Sequence, residues 1–280
     1  MKTSIWIVLG ILVMISLACN VTLPVERMQA GELQTLNISE PSAQGPTKVT
    51  ISMGAGSLKI NGGGTGLVEG SIHYNVPEWK PAVSHQGNEL TIQQGTNLGN
   101  KLPPENIAND WNLKFGQSPI DLTINAGAYD SQVDLSGVPL TNLSINDGAS
   151  NVKVDFNSPN PEKMQLLSYK TGASTIKLTG LGNANFSEMS FSGGAGDYIL
   201  DFSGKLSRDG HVTISSGASQ VSVIIPKDMN CVVTVAGAIN DVASTGEWSA
   251  NGNTYTHQGQ GPMLSISAEL SVGSLKIISQ

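Results

Sequence analysis

The chain has 280 residues, a formal charge of −7, 13% charged and 5% aromatic residues, and 32 glycines. An acidic balance excludes the electrostatic footprint of a nucleic-acid binder and opposes adhesion to anionic lipid. Glycine without a collagen-like period, and without Pro-rich or charged tracts, fits a tightly turning β protein better than a disordered one.

Lys2 precedes an apolar run from Ile5 to Leu17 that is broken only by Gly10 and Ser16. A run of that length is a signal-peptide core and is short for a membrane-spanning helix. Ser16-Leu17-Ala18 then leads to Cys19, an arrangement that resembles a bacterial lipoprotein signal, although the order Ser16-Leu17 departs from the usual one. In that family cleavage precedes the cysteine, whose thiol carries diacylglycerol. The expectation is a signal peptide over 1–18, a membrane tether over 19–30, and lipidation at Cys19. The mature protein is then extracytoplasmic and lipid-anchored to the bacterial cell membrane, with its charge moved to −8 by the loss of Lys2. The alternative is an ordinary cleavable signal, or an uncleaved anchor, with a chance cysteine. Cys231 is the second of two cysteines, and its flanks, Met229-Asn230 and Val232-Val233, suit a strand and a buried inert thiol.

Beyond the tether a Gly-Ala/Ser turn followed by a strand recurs along the chain. Copies start at Gly54, Gly127, Gly148, Gly172, Gly194 and Gly217, with a degraded copy at Gly237 and a last one at Ser271. From Gly127 to Gly237 the starts differ by 21, 24, 22, 23 and 20 residues, the rung length of a solenoid. Four residues after the glycine stand Leu58, Val152, Ile176, Tyr198, Val221 and Leu275, with Ser131 and Asp241 as exceptions. Six after it stand Ile60, Val133, Val154, Leu178, Leu200, Val223, Ala243 and Ile277. This period of two describes a strand with one buried face. Glycine is expected at the turn for its access to positive φ. A second strand series precedes the turns, as in Leu143-Ser-Ile145 and Met189-Ser-Phe191, so each rung reads strand, Gly turn, strand, return loop.

The predicted fold is all-β: a right-handed β-solenoid of short stacked rungs over 126–280, behind an irregular β N-terminal cap over 31–125. Gly54 to Gly127 spans 73 residues, room for roughly three rungs, and Asn97 to Asp110 reads as a surface loop.

Candidate chemistry is sparse. Asp134, Asp155 and Asp201 fall seven residues after their glycines, and Asp130 and Asp197 fall three after. Stacking could bring some of these weak candidates within reach of a hard cation, but Thr179 interrupts the ladder, and a solvated polar face explains them as well. His73, His85, His211 and His257 lie on different rungs without a His-x-x-x-His pair, which disfavours zinc. Arginine is limited to Arg27 and Arg208, which disfavours polysaccharide-lyase chemistry. No catalytic residue and no cofactor is assigned. Trp79, Trp111, Trp248 and Tyr255 are either an exposed partner or sugar surface or plugs for the solenoid ends.

Several segments carry a family likeness. Gly31-Glu-Leu-Gln-Thr35, Gly54-Ala-Gly-Ser-Leu58 and Tyr74-Asn-Val-Pro-Glu-Trp-Lys-Pro81 resemble the N-terminal region of bacterial toast-rack proteins. Asn109-Asp-Trp-Asn-Leu113, Asp121-Leu122 and Gly127 through Leu140 resemble the segment that follows, and the later repeats are similar to the β-solenoid domain of LiaF-type envelope-stress proteins. The resemblance covers Gly31 to Ile278 and implies a fold, often in lipoproteins, without catalytic residues to carry over. The expected function is a non-catalytic, membrane-tethered interaction or envelope-stress sensing module. Its expected contacts are the membrane, through the lipid, and a membrane or envelope protein. The rival is a cell-surface adhesive or glycan-binding protein, and a third reading is a polysaccharide-active enzyme.

Overall fold

Each Gly-Ala motif from Gly54 to Gly217 lies inside one long strand instead of between two short ones. The computed structural model describes residues 29–41, 44–95, 106–237 and 241–280, so the signal peptide, Cys19, Arg27 and most of the tether lie outside the described residues. The regular rungs are β7 (Ile120–Asp134), β8 (Leu140–Asp155), β9 (Met164–Thr179), β10 (Phe186–Asp201) and β11 (Gly210–Ile225). Before them come β1 (Gln34–Glu40), β2 (Thr47–Gly62), β3 (Val68–Tyr74), β4 (Ala82–Gln86), β5 (Glu89–Gln93) and β6 (Asn109–Phe115). After them come β12 (Met229–Gly237), β13 (Asp241–Thr245), β14 (Ser249–Asn251), β15 (Thr254–His257) and β16 (Gln260–Ser279). All belong to one open sheet, a β-solenoid in which β2 and the rungs β7 to β11 fold over at their glycines.

Alternation on both sides of the bend fills the core. Parallel pairing aligns Val49, Leu122, Leu143, Leu167, Met189 and Val212 in one row before the bend. Another row after it aligns Val133, Val154, Leu178, Leu200, Val223 and Ile277. All of these residues are buried, whereas Lys153 and Lys177 between them are exposed. Removing such an aliphatic side chain from water contributes about 1.5–3 kcal/mol. Tyr169, Phe191 and Tyr198 add a run of ring contacts, with centroids 5.7 and 4.9 Å apart. Ser131 breaks the row of apolar residues yet is buried, and its hydroxyl donates to the Leu58 carbonyl at 2.9 Å.

The bend glycines are required by stacking, not by φ. Gly127, Gly148, Gly172, Gly194 and Gly217 are absent from the positive-φ residues, which corrects the expectation from the sequence. A Cβ on Gly127 would lie 2.3 Å from the Gly54 carbonyl oxygen, and one on Gly172 would lie 2.4 Å from that of Gly148. The same contact recurs at Gly194 and Gly217, at 2.4 and 2.5 Å. Each bend therefore presses its Cα onto the backbone of the rung beneath, close enough for a Cα–H···O contact. The alanine beside each glycine pairs with its neighbours, Ala55 with Ala128, Ala128 with Ala149, and Ala195 with Ala173 and Ala218.

Both ends depart from sequential stacking. At the N-terminal end β2 lies between β7 and a split rung, whose first half is β5 and whose second half is β6. Antiparallel strands then cover that rung, β4 over β5, and β3 with β1 over β6. The interval with room for three rungs thus holds one split rung and an antiparallel layer, and Asn109 and Asp110 belong to β6, not to a loop. At the C-terminal end β16 lies between β11 and a second split rung made of β12 and β13. Here the count from Gly237 is one residue off. Gly237 pairs with Leu270 and Val242 with Leu275, so Val242 is half-buried while Ala243 is exposed. The division at 125/126 falls inside β7, and one core runs across it.

Stability should follow this register. Leu178→Ala is expected to cost roughly 2–5 kcal/mol in a urea melt, and Lys177→Ala to stay within about 0.5 kcal/mol. Equal losses for the two would contradict the assigned faces.

Candidate functional site

Of the weak cation candidates, Asp134 and Asp155 stand opposite each other at the ends of adjacent rungs, Asp201 ends a rung further on, and Asp130 and Asp197 lie just past the bends. Asp134 accepts from the Ser136 amide at 3.0 Å and from its hydroxyl, and Asp201 accepts from the Ser203 amide at 2.8 Å. These are Asx turns that stop the strand. Asp155 is held by the Thr179 hydroxyl and by Lys153 Nζ at 2.8 Å. Asp130 and Asp197 point outward and are exposed. Among the described residues no group of three or more His, Cys, Asp or Glu is placed to hold a metal ion.

The histidines are equally dispersed. His85 Nδ1 meets Glu40 Oε2 at 2.8 Å, linking β4 to β1, and His73 contacts the Thr35 hydroxyl at 3.0 Å. His257 is buried, with Nδ1 donating to the Met229 carbonyl at 2.9 Å, and His211 is exposed.

A recess lies beside the bends of β2, β7 and β8. It is a cleft of about 540 Å³ lined by Met53 and Ala126, by the amides Gln94, Asn125 and Asn146, and by Asp147. Its far wall is Gln93–Gly95, at the end of the first half of the split rung. A clasp forms there. Gln94 Oε1 accepts from the Gly54 amide at 2.7 Å and from Asn109 Nδ2 at 2.9 Å. Asn109 Oδ1 accepts from Trp111 Nε1 at 2.8 Å, so the indole fixes the amide that holds the bend. Asn146 Nδ2 donates to Asn125 Oδ1 at 3.0 Å, one rung away. On the other side of the ridge a recess of about 510 Å³ runs past Ala55, Ala128 and Ala149, with the exposed Ile107 beside it.

Inside the corner, the Asp147 carboxylate accepts from Tyr169 Oη at 2.7 Å and from the Thr171 hydroxyl. Burial, followed by the charges of Tyr129 and Asp147, pushes the Tyr169 phenol well above its usual range. Burial, with Asp147 second, does the same to Tyr129. Both phenols therefore remain protonated, and Tyr169 donates to Asp147. The cleft offers neutral amides, an apolar floor and one carboxylate already held by two hydroxyls, a set suited to binding a ligand.

The aromatic candidates separate. Trp79 and Trp111 are each 1% exposed, which places them in the cap's interior. Trp248 and Tyr255 are half-buried against the core at the other end, with Trp248 edge-on to His257. Sequence reasoning missed the clasp and also Asn160. That buried side chain receives the Leu140 amide at 3.0 Å and donates to the Leu140 and Ala184 carbonyls, joining successive return loops. The only signal for either was the presence of amide residues, Asn160 in a return loop and Gln94 and Asn109 at strand ends.

Residues 28–166, which include β1 through β8, match the family profile described as the N-terminal domain of toast_rack. This chain carries a toast-rack N-terminal domain. Several crystal structures are similar to the whole chain. One, of a candidate cell adhesion protein from Clostridium sporogenes, is 19% identical, with 89% of this chain and 99% of that one covered and a TM-score of 0.49. A candidate adhesin from Bacteroides fragilis is 12% identical, over 88% and 97% of the two chains, with a TM-score of 0.34. A candidate lipid-binding protein from Parabacteroides distasonis is 11% identical, over 91% and 100%, with a TM-score of 0.31. No curated protein matches by sequence. The toast-rack match crosses the 125/126 division and ends inside β9, so the domain and the repeats share one sheet.

Burial pushes the Cys231 thiol up to about 12. Iodoacetamide at pH 8 is therefore expected to leave Cys231 unmodified in the native protein and to alkylate it in denaturant. Rapid native labelling, read by mass spectrometry, would contradict its place in the core.

Proposed function

We propose that this protein is a lipid-tethered, extracytoplasmic, non-catalytic module that engages a membrane or envelope component, in the manner of an envelope-stress sensor. The observation that carries the reading is the cleft beside the bends of β2, β7 and β8, a preformed recess with an apolar floor and a rim of amides and one carboxylate. The toast-rack domain supports an interaction role over an enzymatic one. Burial of Trp79 and Trp111 leaves the glycan-binding alternative without their aromatic surface.

The tether sets the geometry of the encounter. Gly31 is already fixed to the fold, its amide donating to the Asn75 carbonyl at 2.7 Å. The twelve residues from Cys19 to Gly31 reach roughly 40 Å when extended and nearer 20 Å as a flexible coil. A lipidated Cys19 holds the N-terminal cap within about that distance of the bilayer. Such a reach suits a partner in or beside the membrane better than one on another cell.

Fatty-acid labelling should tag the wild type and not Cys19→Ser. A photo-crosslinking residue at Asn146, in the cleft, should capture a membrane or envelope partner in cells, and one at Lys177, on the outer strand face, should not. A long Ser/Gly insert in the tether should weaken the capture. Equal labelling of both proteins, equal capture from both positions, or polysaccharide turnover by the soluble domain would overturn the proposal.

A further inference from the structure

The order of strands at the C-terminal end gives β16 a part that no other rung has. β12 pairs with β16 on the solenoid side and with β15 on the other, β13 pairs with β16, and β14 pairs with β15. Among the described residues, therefore, the whole block from Met229 to His257 joins the sheet by strand pairing through β16 alone. β11 in turn meets β16 along fifteen aligned positions, from Gly210 opposite Leu264 to Ile225 opposite Ser279. The final strand occupies a slot one strand wide, closed on one side by β11 and on the other by β12 and β13.

The chain enters that slot around the start of β12. His257 lies opposite Cys231 on one edge of β12, and three residues later Gln260 lies opposite Met229 on its other edge. The Gln260 amide donates to the Asp228 carbonyl at 2.8 Å, and at the far end the Gln280 amide donates to the Ile225 carbonyl at 3.1 Å. Between these end bonds the strand is held by its ladders and by the buried side chains Leu264, Ile266, Leu270, Leu275 and Ile277.

We propose that β16 is a displaceable strap. It leaves and re-enters its slot as a unit with the C-terminal block, and the vacated slot accepts an extended strand of the same pattern, for which β16 of a second copy is the natural source. Opening bares the full edge of β11 and one side of its apolar rows, a template for strand addition. The regular rungs β7 to β10 each keep both neighbours throughout. Exchange of a terminal element between identical chains costs little, because the contacts in the exchanged form are those of the closed one.

Native-state hydrogen exchange on the intact protein tests the strap. The strands β12 to β16 are expected to exchange together, ahead of β7 to β10. Ser215 and Glu269 are exposed cross-strand neighbours, so a disulfide between Ser215→Cys and Glu269→Cys should lock the strap. Locking should slow exchange at least tenfold across the block from Met229 to His257, which contains neither cysteine. A biotinylated peptide of residues 260–280 should be incorporated by the wild type and excluded by the oxidised lock, with capture restored on reduction. Independent exchange of β12 from β16, exchange of β16 in step with β7 to β10, no effect of the lock on the block, or no peptide capture by the wild type would overturn the proposal.

Discussion

The contact on which this fold depends is a glycine Cα resting on the carbonyl oxygen of the rung below. At Gly172 a methyl group would stand 2.4 Å from the Gly148 oxygen, and neither backbone has a side chain that could give way. The contact brings successive bends together, and the two arms of each rung then stay in register through parallel ladders. Register places Val154, Leu178, Leu200 and Val223 in one row and excludes Lys153 and Lys177 from it. The exposed ridge of small residues is the outward side of the same constraint.

The cleft follows from an interruption of that constraint. The rung of β5 and β6 is split, and at the split Gln94 accepts from the Gly54 amide while Asn109 donates to Gln94 and to the Ala55 carbonyl. Trp111 is buried on the inward face of β6, and its indole fixes Asn109. A recess walled by Gln93–Gly95 is left beside the bends, in the part of the chain that carries the toast-rack domain. Charged side chains elsewhere are used locally: Asp134 and Asp201 stop strands, and Asp155 joins Lys153 and Thr179.

The repeat and its inward face were legible because alternation such as Val152-Lys153-Val154 has one burial solution in a sheet. The reason for the bend glycines was not, since a glycine needed for positive φ and one needed for close stacking look alike in sequence. Gly237 shows the difficulty. It has φ +94°, unlike the glycines of the bend column, and counting from it moved the terminal rung by one residue. Strand order at the ends was hidden for another reason. The inward residues of β16 resemble those of every other rung, so the pattern alone does not tell which slot the strand fills. The Asn160 bracket depends on one amide in a loop, and the clasp on Gln94 just after β5 and Asn109 at the start of β6, positions that no period reveals.

Gly172→Ala tests the central contact most directly, because the two accounts of that glycine differ in sign. If the glycine served flexibility alone, alanine would restrict the unfolded chain and raise stability by about 0.4–1 kcal/mol. If the Gly148 carbonyl occupies the space, the methyl group should lower stability by about 1–3 kcal/mol or more, while Ala173→Ser on the exposed ridge changes it little. Equilibrium unfolding in urea of the two variants beside the wild type measures both. A marked loss for Gly172→Ala alone is the predicted result, and a Gly172→Ala protein as stable as the wild type, or more so, would contradict it.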